Sequence, residues 1–218
     1  MKDQLVLDLE TQFEFAEVGG RDYVHLLKVS LVGVYSYLQD EFLSFEEHEI
    51  PKLEELLKNT DLIVGFNTKF FDYTVLQPYL KEVDLKKMRS CDIMEDATNV
   101  LGFRVSLDSV AKATLGTQKS GHGLDAIRYF REGNMDALRK YCLDDVRITR
   151  DVFEYGRHNG KILFVSRYQN ESGVVPVTWK FNTAQKNSPA SAASEADVMP
   201  EAVSSHRADV KTGNYSLF

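Results

Sequence analysis

The stretch Leu5-Val6-Leu7-Asp8-Leu9-Glu10-Thr11 decides the reading of this chain. It reads as a buried strand that closes on two acids. Side chains on a strand alternate between faces, so Leu5, Leu7 and Leu9 share one face while Val6, Asp8 and Glu10 share the other. Two anions aimed the same way from an apolar strand repel each other and lose hydration, a penalty that a cation between them removes. The strand therefore looks like half of a divalent-metal site. Acid-x-acid at a strand end is common, so the reading depends on whether other segments place further acids on apolar faces.

Composition bounds the answer. The 218 residues suffice for one full-sized domain with an appendage. The formal net charge of -7 argues against a protein that coats duplex DNA through massed Lys and Arg. It does not exclude a nucleic-acid enzyme, whose acids count as negative until metals bind. Cys91 and Cys142 stand far apart and in no metal-type spacing, which argues against a disulfide framework and a structural zinc site. No apolar run approaches the ~20 residues of a membrane span. Met1-Lys2-Asp3-Gln4 leads straight into the strand, so export is not expected and the cytoplasm is the expected compartment.

Beyond the first strand, Tyr23 to Leu38 and Phe42 to Ile50 read as two antiparallel strands, with Gly33 marking a bulge. Pro51 opens a short helix over Lys52 to Asn59. Leu62-Ile63-Val64-Gly65-Phe66 reads as a covered strand, and Phe71 to Leu80 as a helix shortened by Pro78. Lys86 to Cys91 is a candidate strand. Asp92 then caps a helix over Ile93 to Leu101, and helices over Leu107 to Leu115 and Leu124 to Glu132 follow. The longest helix is expected from Met135 to Tyr155, with Tyr141, Cys142, Asp145, Val146, Thr149, Val152 and Phe153 on its inward stripe. Lys161 to Tyr168 and Val174 to Phe181 read as a β-hairpin, its second arm an edge strand because of Pro176. From Thr183 onward the chain is too poor in apolar residues to pack and reads as a disordered tail. The expected divisions are a domain over residues 1-158, a hairpin extension over 159-182 and the tail over 183-218.

Three separated segments thus carry acids in unusual places: Asp8 and Glu10, then Asp72 after Asn67-Thr68-Lys69-Phe70-Phe71, then Asp145 one turn beyond Tyr141. Each alone has a plain structural account: a helix-dipole acid for Asp72, an arginine partner in Arg147 or Arg150 for Asp145, core packing for Tyr141. Together, the set Asp8-x-Glu10, Asn67-x-x-x-Phe71-Asp72 and Tyr141-x-x-x-Asp145 resembles the three exonuclease motifs of the DEDD superfamily, tyrosine subtype. That superfamily includes the proofreading domains of family B DNA polymerases. The histidine subtype would need His where Lys140 stands.

The resemblance implies an α/β fold with a ribonuclease H-like mixed sheet flanked by helices. It also implies 3′-to-5′ removal of nucleotides with two divalent ions, Mg or Mn. Under it, Asp8 bridges both metals, Glu10 and Asp145 complete the first, Asp72 holds the second largely through water, and Tyr141 aims the attacking water. Leu9, Thr11, Asn67 and Phe71 match substrate-binding positions near the terminal nucleotides, although core packing accounts for Leu9 and Phe71 equally well. Lys69, Lys112, Lys119, Arg128 and Arg131 are either phosphate contacts or a solvated charged face, and Gly121-His122-Gly123 reads as a plain loop. Single-stranded DNA is the favoured substrate over RNA. The competing readings are a 3′-to-5′ exoribonuclease, an endonuclease on the same fold and a catalytically silent, clamp-associated nucleic-acid-binding module.

The chain ends Asn214-Tyr215-Ser216-Leu217-Phe218. This resembles the bacterial sliding-clamp-binding peptide Gln-Leu-Ser/Asp-Leu-Phe, with Asn214 in place of Gln and Tyr215 in place of Leu. A flexible leash ending in two apolar anchors can hold an enzyme near its substrate by raising effective concentration.

Overall fold

A computed structural model describes residues 2–117, 123–165 and 172–179. The expected tail, the sequence 214–218 at its end, and Lys119, Gly121 and His122 lie outside the described residues.

The sheet is built around the first strand, β1 (Asp3–Thr11). Antiparallel to it runs β2 (Val29–Ser36), and beyond that β3 (Glu41–Glu46); on the other side β4 (Thr60–Gly65) and β5 (Ser90–Asp92) run parallel. The order is β3-β2-β1-β4-β5, a mixed sheet with β1 at its centre. The alternation read from β1 holds. Leu5, Leu7 and Leu9 enter one core, closed by α1 (Ile50–Lys58) and α2 (Asp72–Leu76), while Val6 enters another on the opposite face. That second face is covered by α3 (Ile93–Leu101), α4 (Leu107–Leu115), α5 (Gly123–Arg131) and α6 (Met135–Asn159).

Three expected strands are shorter than the ranges read from the sequence. Tyr23 to Leu26 belongs to a 3-10 turn over Arg21–Leu26, because Val24 and Leu27 both turn into the core and Lys28 takes a left-handed φ of 54°. The run from Phe42 to Ile50 leaves the sheet at Glu46, whose N–H donates to the Glu49 carboxylate at 3.3 Å and leads into α1. The strand expected over Lys86 to Cys91 reduces to β5, after a turn at Leu85–Lys87. In the segment expected as a helix from Phe71 to Leu80, α2 gives way at Gln77–Tyr79 to a 3-10 turn around Pro78, as a missing N–H dictates. The long helix runs four residues past Tyr155 to Asn159.

The hairpin pairs β6 (Lys161–Val165) with β7 (Ser172–Pro176) and belongs to the same compact unit, Met1–Thr183, as the sheet. The Ser109 and Thr114 hydroxyls of α4 satisfy one edge of β6, each exchanging hydrogen bonds of 2.9 to 3.0 Å with a backbone N–H and carbonyl there. Beyond β7, Trp179 stacks on Phe153 of α6 with ring centroids 5.5 Å apart, and its Nε1 donates to Asp96 at 2.7 Å.

The bulge expected at Gly33 is elsewhere. The register of β1 with β2 shifts between Glu10 and Thr11, and Gly33 pairs regularly with Asp8. Gly33 is glycine because α6 lies against it: a Cβ there would meet Cys142 Sγ at 2.8 Å, Val146 Cγ2 at 3.0 Å and Leu143 at 3.2 Å. The missing side chain lets α6 approach the sheet beside Asp8. We expect Gly33→Ala to destabilise the fold by about 1–3 kcal/mol through overpacking. Adding Cys142→Ala should recover part of that loss, as coupled neighbours do. Denaturant titration of wild type, the two single variants and the double variant checks this; additive losses would contradict the close-approach account.

Candidate active site

Each segment brings its acid to the carboxyl end of β1 by a different device. Asp8 and Glu10 leave the strand on the α6 face. The Leu62–Phe66 segment ends β4 at Gly65, where a Cβ would overlap the Thr68 side chain and crowd the Leu7 carbonyl. The chain then turns sharply through Asn67, which adopts a left-handed φ of 66°, tolerable for a short polar side chain. Asp92 clasps this turn. Its carboxylate accepts the N–H groups of Asn67 (2.9 Å) and Lys69 (3.0 Å) as well as those of Met94 and Glu95, where it caps α3 as expected. The turn delivers Asp72, which is 3% exposed, to β1, where its Oδ1 accepts the Leu9 N–H at 3.0 Å. Tyr141 and Asp145 sit one turn apart on the buried stripe of α6, both 5% exposed.

These five side chains line one cleft of about 380 Å³. Its walls are apolar. Phe13, Phe15, Phe66 and Phe71 contribute to the lining, as do Leu124 and Ile127 of α5. Of the expected substrate contacts, Leu9, Thr11 and Phe71 line the cleft; Asn67 lies outside its lining, with Oδ1 accepting from Arg104 at 2.8 Å. Leu9 also belongs to the core beneath the sheet, and Phe71 packs against that core. Three of the suggested cations are engaged with acids: Lys69 with Glu95, Arg128 with Asp125, Arg131 with Glu17. Arg147 pairs with Asp144 and Arg150 with Asp151.

Electrostatics mark the cluster as strained. Burial, reinforced by the Asp8 charge, raises the Asp72 carboxyl well above the usual range. Burial and then the carboxylates of Asp145, Glu10 and Asp8 raise the Tyr141 hydroxyl, which keeps its proton at any physiological pH. Asp8, Glu10 and Cys142 offer ligand atoms within 4.8 Å of one another. Two full charges at that separation repel by about 3 kcal/mol at an effective dielectric near ~20. The residues fit hard divalent cations, which prefer carboxylate oxygen. Cys142 fits less well. Burial and the same carboxylates push its thiol far up, keeping it protonated, and its Sγ lies 3.7 Å from the Asp8 carbonyl as part of the Gly33 contact. The wall residues Phe13, Phe15, Phe66, Leu124 and Ile127 carried no sequence signal beyond apolarity, and the clasp by Asp92 showed only as a helix cap.

A family model described as the RNase_H superfamily matches residues 7–156. No curated protein matches the chain. Among solved structures, the family B DNA polymerase from the hyperthermophilic archaeon Pyrobaculum calidifontis is similar over 72% of this chain, at 19% identity and a TM-score of 0.56. The chain spans 24% of that polymerase. At this identity the likeness establishes a shared fold.

The strain yields a prediction. The Asp72 carboxyl titrates higher in the folded protein than in the unfolded chain, so its charge destabilises the metal-free fold. That penalty is absent below the unfolded value near ~4 and grows as pH rises through the folded value. In chelator at neutral pH, Asp72→Asn should therefore melt higher than wild type, by roughly 3 °C for about 1 kcal/mol relieved, with the difference closing on acidification. Manganese should reverse the order. A metal-free wild type that melts above Asp72→Asn at neutral pH would contradict the account.

Proposed function

The chain belongs to the RNase_H superfamily, and on that premise we propose that it is a metal-dependent 3′-to-5′ exonuclease of the DEDD superfamily's tyrosine subtype, acting on single strands or frayed 3′ ends of DNA. Superfamily membership supports nuclease chemistry in general. The observation that carries the finer reading is the convergence of Asp8, Glu10, Asp72, Tyr141 and Asp145, from three separate segments, on one apolar-walled cleft.

Asp8, Glu10, Asp72 and Asp145 would hold two divalent ions, Mg or Mn. When bound, these supply activation of the attacking water and neutralise charge at the leaving 3′ oxygen. The chain's own residues do the rest. Tyr141, protonated and one turn from Asp145, hydrogen-bonds and aims the water instead of deprotonating it. The lining rings Phe13, Phe15, Phe66 and Phe71 give unpaired bases stacking surfaces, which favours single strands over a paired duplex end. Leu9 and Thr11, beside the acids, face the terminal sugar, and Asn67 stands near it on the Arg104 side. In this reading the enzyme works in the cytoplasm; among the described residues no helix is long and apolar enough to cross a membrane. Asn214 to Phe218 are kept as a peptide for a sliding clamp.

The test is digestion of a 5′-labelled single-stranded DNA, and of the matching RNA, with manganese or chelator. We expect a ladder shortening from the 3′ end, faster on DNA and abolished by chelator and by Asp145→Ala. Tyr141→Phe should lower the rate by about 10- to 100-fold, the range that misaligning a reactant produces, while leaving manganese binding intact. Scission within a circular strand would establish an endonuclease instead, and intact label in every condition would leave only a binding module. Removing residues 214–218 should leave the ladder unchanged and abolish retention on a clamp; equal retention would sink the tether.

A further inference from the structure

Two walls of the cleft are joined by a contact that the chemistry above does not use. One wall is the β1–β2 connection, which contributes Phe13, Glu14 and Phe15; the other is α5, which contributes Gly123, Leu124 and Ile127. Leu124, Ile127 and Arg131 recur at three- and four-residue steps and so follow one side of α5. At the end of that stripe, Arg131 Nη2 donates to both carboxylate oxygens of Glu17, at 2.7 and 2.6 Å. Glu17 also accepts the N–H of Glu14 at 2.9 Å, which ties the ion pair to a cleft-lining residue. Phe15 is braced as well, edge-on to Phe71 at 6.0 Å between centroids and with the Arg21 guanidinium 5.3 Å over its ring.

We propose that the Glu17–Arg131 bridge closes the cleft behind the terminal nucleotide and so makes cleavage depend on a free, unextended strand end. This rests on the exonuclease reading above and adds to it the residues that enforce the end requirement. A strand that terminates in the cleft needs no exit. On the path between these two walls, a strand carrying anything beyond its last oxygen meets the Glu17–Arg131 pair and the braced Phe15. Glu14, which lines the cleft, further disfavours a continuing phosphodiester by like charge. An exposed ion pair is weak, so the bridge sets a preference and not an absolute barrier.

The experiment uses the full chain and two 5′-labelled single strands, one ending in a 3′ hydroxyl and one whose 3′ oxygen carries an uncharged propyl ether. The reaction is the same on both: water bonds to phosphorus, the bond to the penultimate 3′ oxygen breaks, and that oxygen takes up a proton. Wild type should prefer the hydroxyl end. Glu17→Ala and Arg131→Ala should each raise the relative rate on the capped strand by about three- to fivefold, the range open to an exposed pair. The swap Glu17→Arg with Arg131→Glu should return the ratio to within about twofold of wild type. The two single variants change charge in opposite senses, so altered affinity for a polyanion would move KM in opposite directions while the ratio moves the same way. Melting curves matching wild type would show both remain folded. An unchanged ratio in the single variants, or a swap that does not restore it, overturns the bridge while the hydroxyl-ended strand is still shortened. A wild type that never shortens the hydroxyl-ended strand overturns the exonuclease reading and the bridge with it.

Discussion

The packing of α6 onto bare backbone at Gly33 is the contact on which the site depends. Asp8 and Gly33 face each other across β1 and β2, and Cys142 occupies the space a side chain at Gly33 would fill. Tyr141 and Asp145 flank that contact on the same helix, so their distance from Asp8 is set by how closely α6 can lie on the sheet. Interiors are close-packed and respond to a single added methyl. A helix held there by Leu138, Val146, Val152 and Phe153, all fully buried, has little freedom to drift. The acids are thereby assembled by apolar packing that pulls together groups whose charges push apart.

That opposition separates the site from the other buried acids. Asp3 accepts from the Ser36 hydroxyl and the Gln4 and Leu38 N–H groups. Glu54 collects the three N–H groups of Lys81, Glu82 and Val83, and Asp92 collects four. Each of these carboxylates organises a turn and is stabilised by the N–H groups it gathers. Asp72 faces Asp8 instead, and burial with like charge outweighs its hydrogen bond from Leu9, which is why its carboxyl titrates high. Concentrating acids at one apolar-walled point also reconciles a net charge of -7 with a nucleic-acid substrate.

What was legible in the sequence was what local periodicity controls. The alternation of β1 assigned Val6, Asp8 and Glu10 to one face, and four-residue spacing placed Asp145 beside Tyr141 on the buried stripe of α6. Asp92 was recognisable as a cap because its partners lie two and three residues on. Its clasp on Asn67 and Lys69 was not, because nothing local links those positions. Gly33 was misread for the same reason: a lone glycine in a strand signals a bulge as readily as a close approach, and the helix that decides between them lies far along the chain. The segment from Val24 to Leu27 reads as strand because strand and turn alike can bury residues such as Val24 and Leu27, and only the backbone at Lys28 separates them. The Glu17–Arg131 bridge, joining two oppositely charged surface residues far apart in sequence, had no signal at all.

The central claim is that the four carboxylates are gathered to hold two divalent ions. Crystals of the protein soaked in manganese and measured for anomalous scattering test it most directly. Two peaks about 4 Å apart, both in contact with Asp8, are the predicted result. A single peak at an unrelated carboxylate, or none at Asp8 under manganese that supports cleavage, would contradict it.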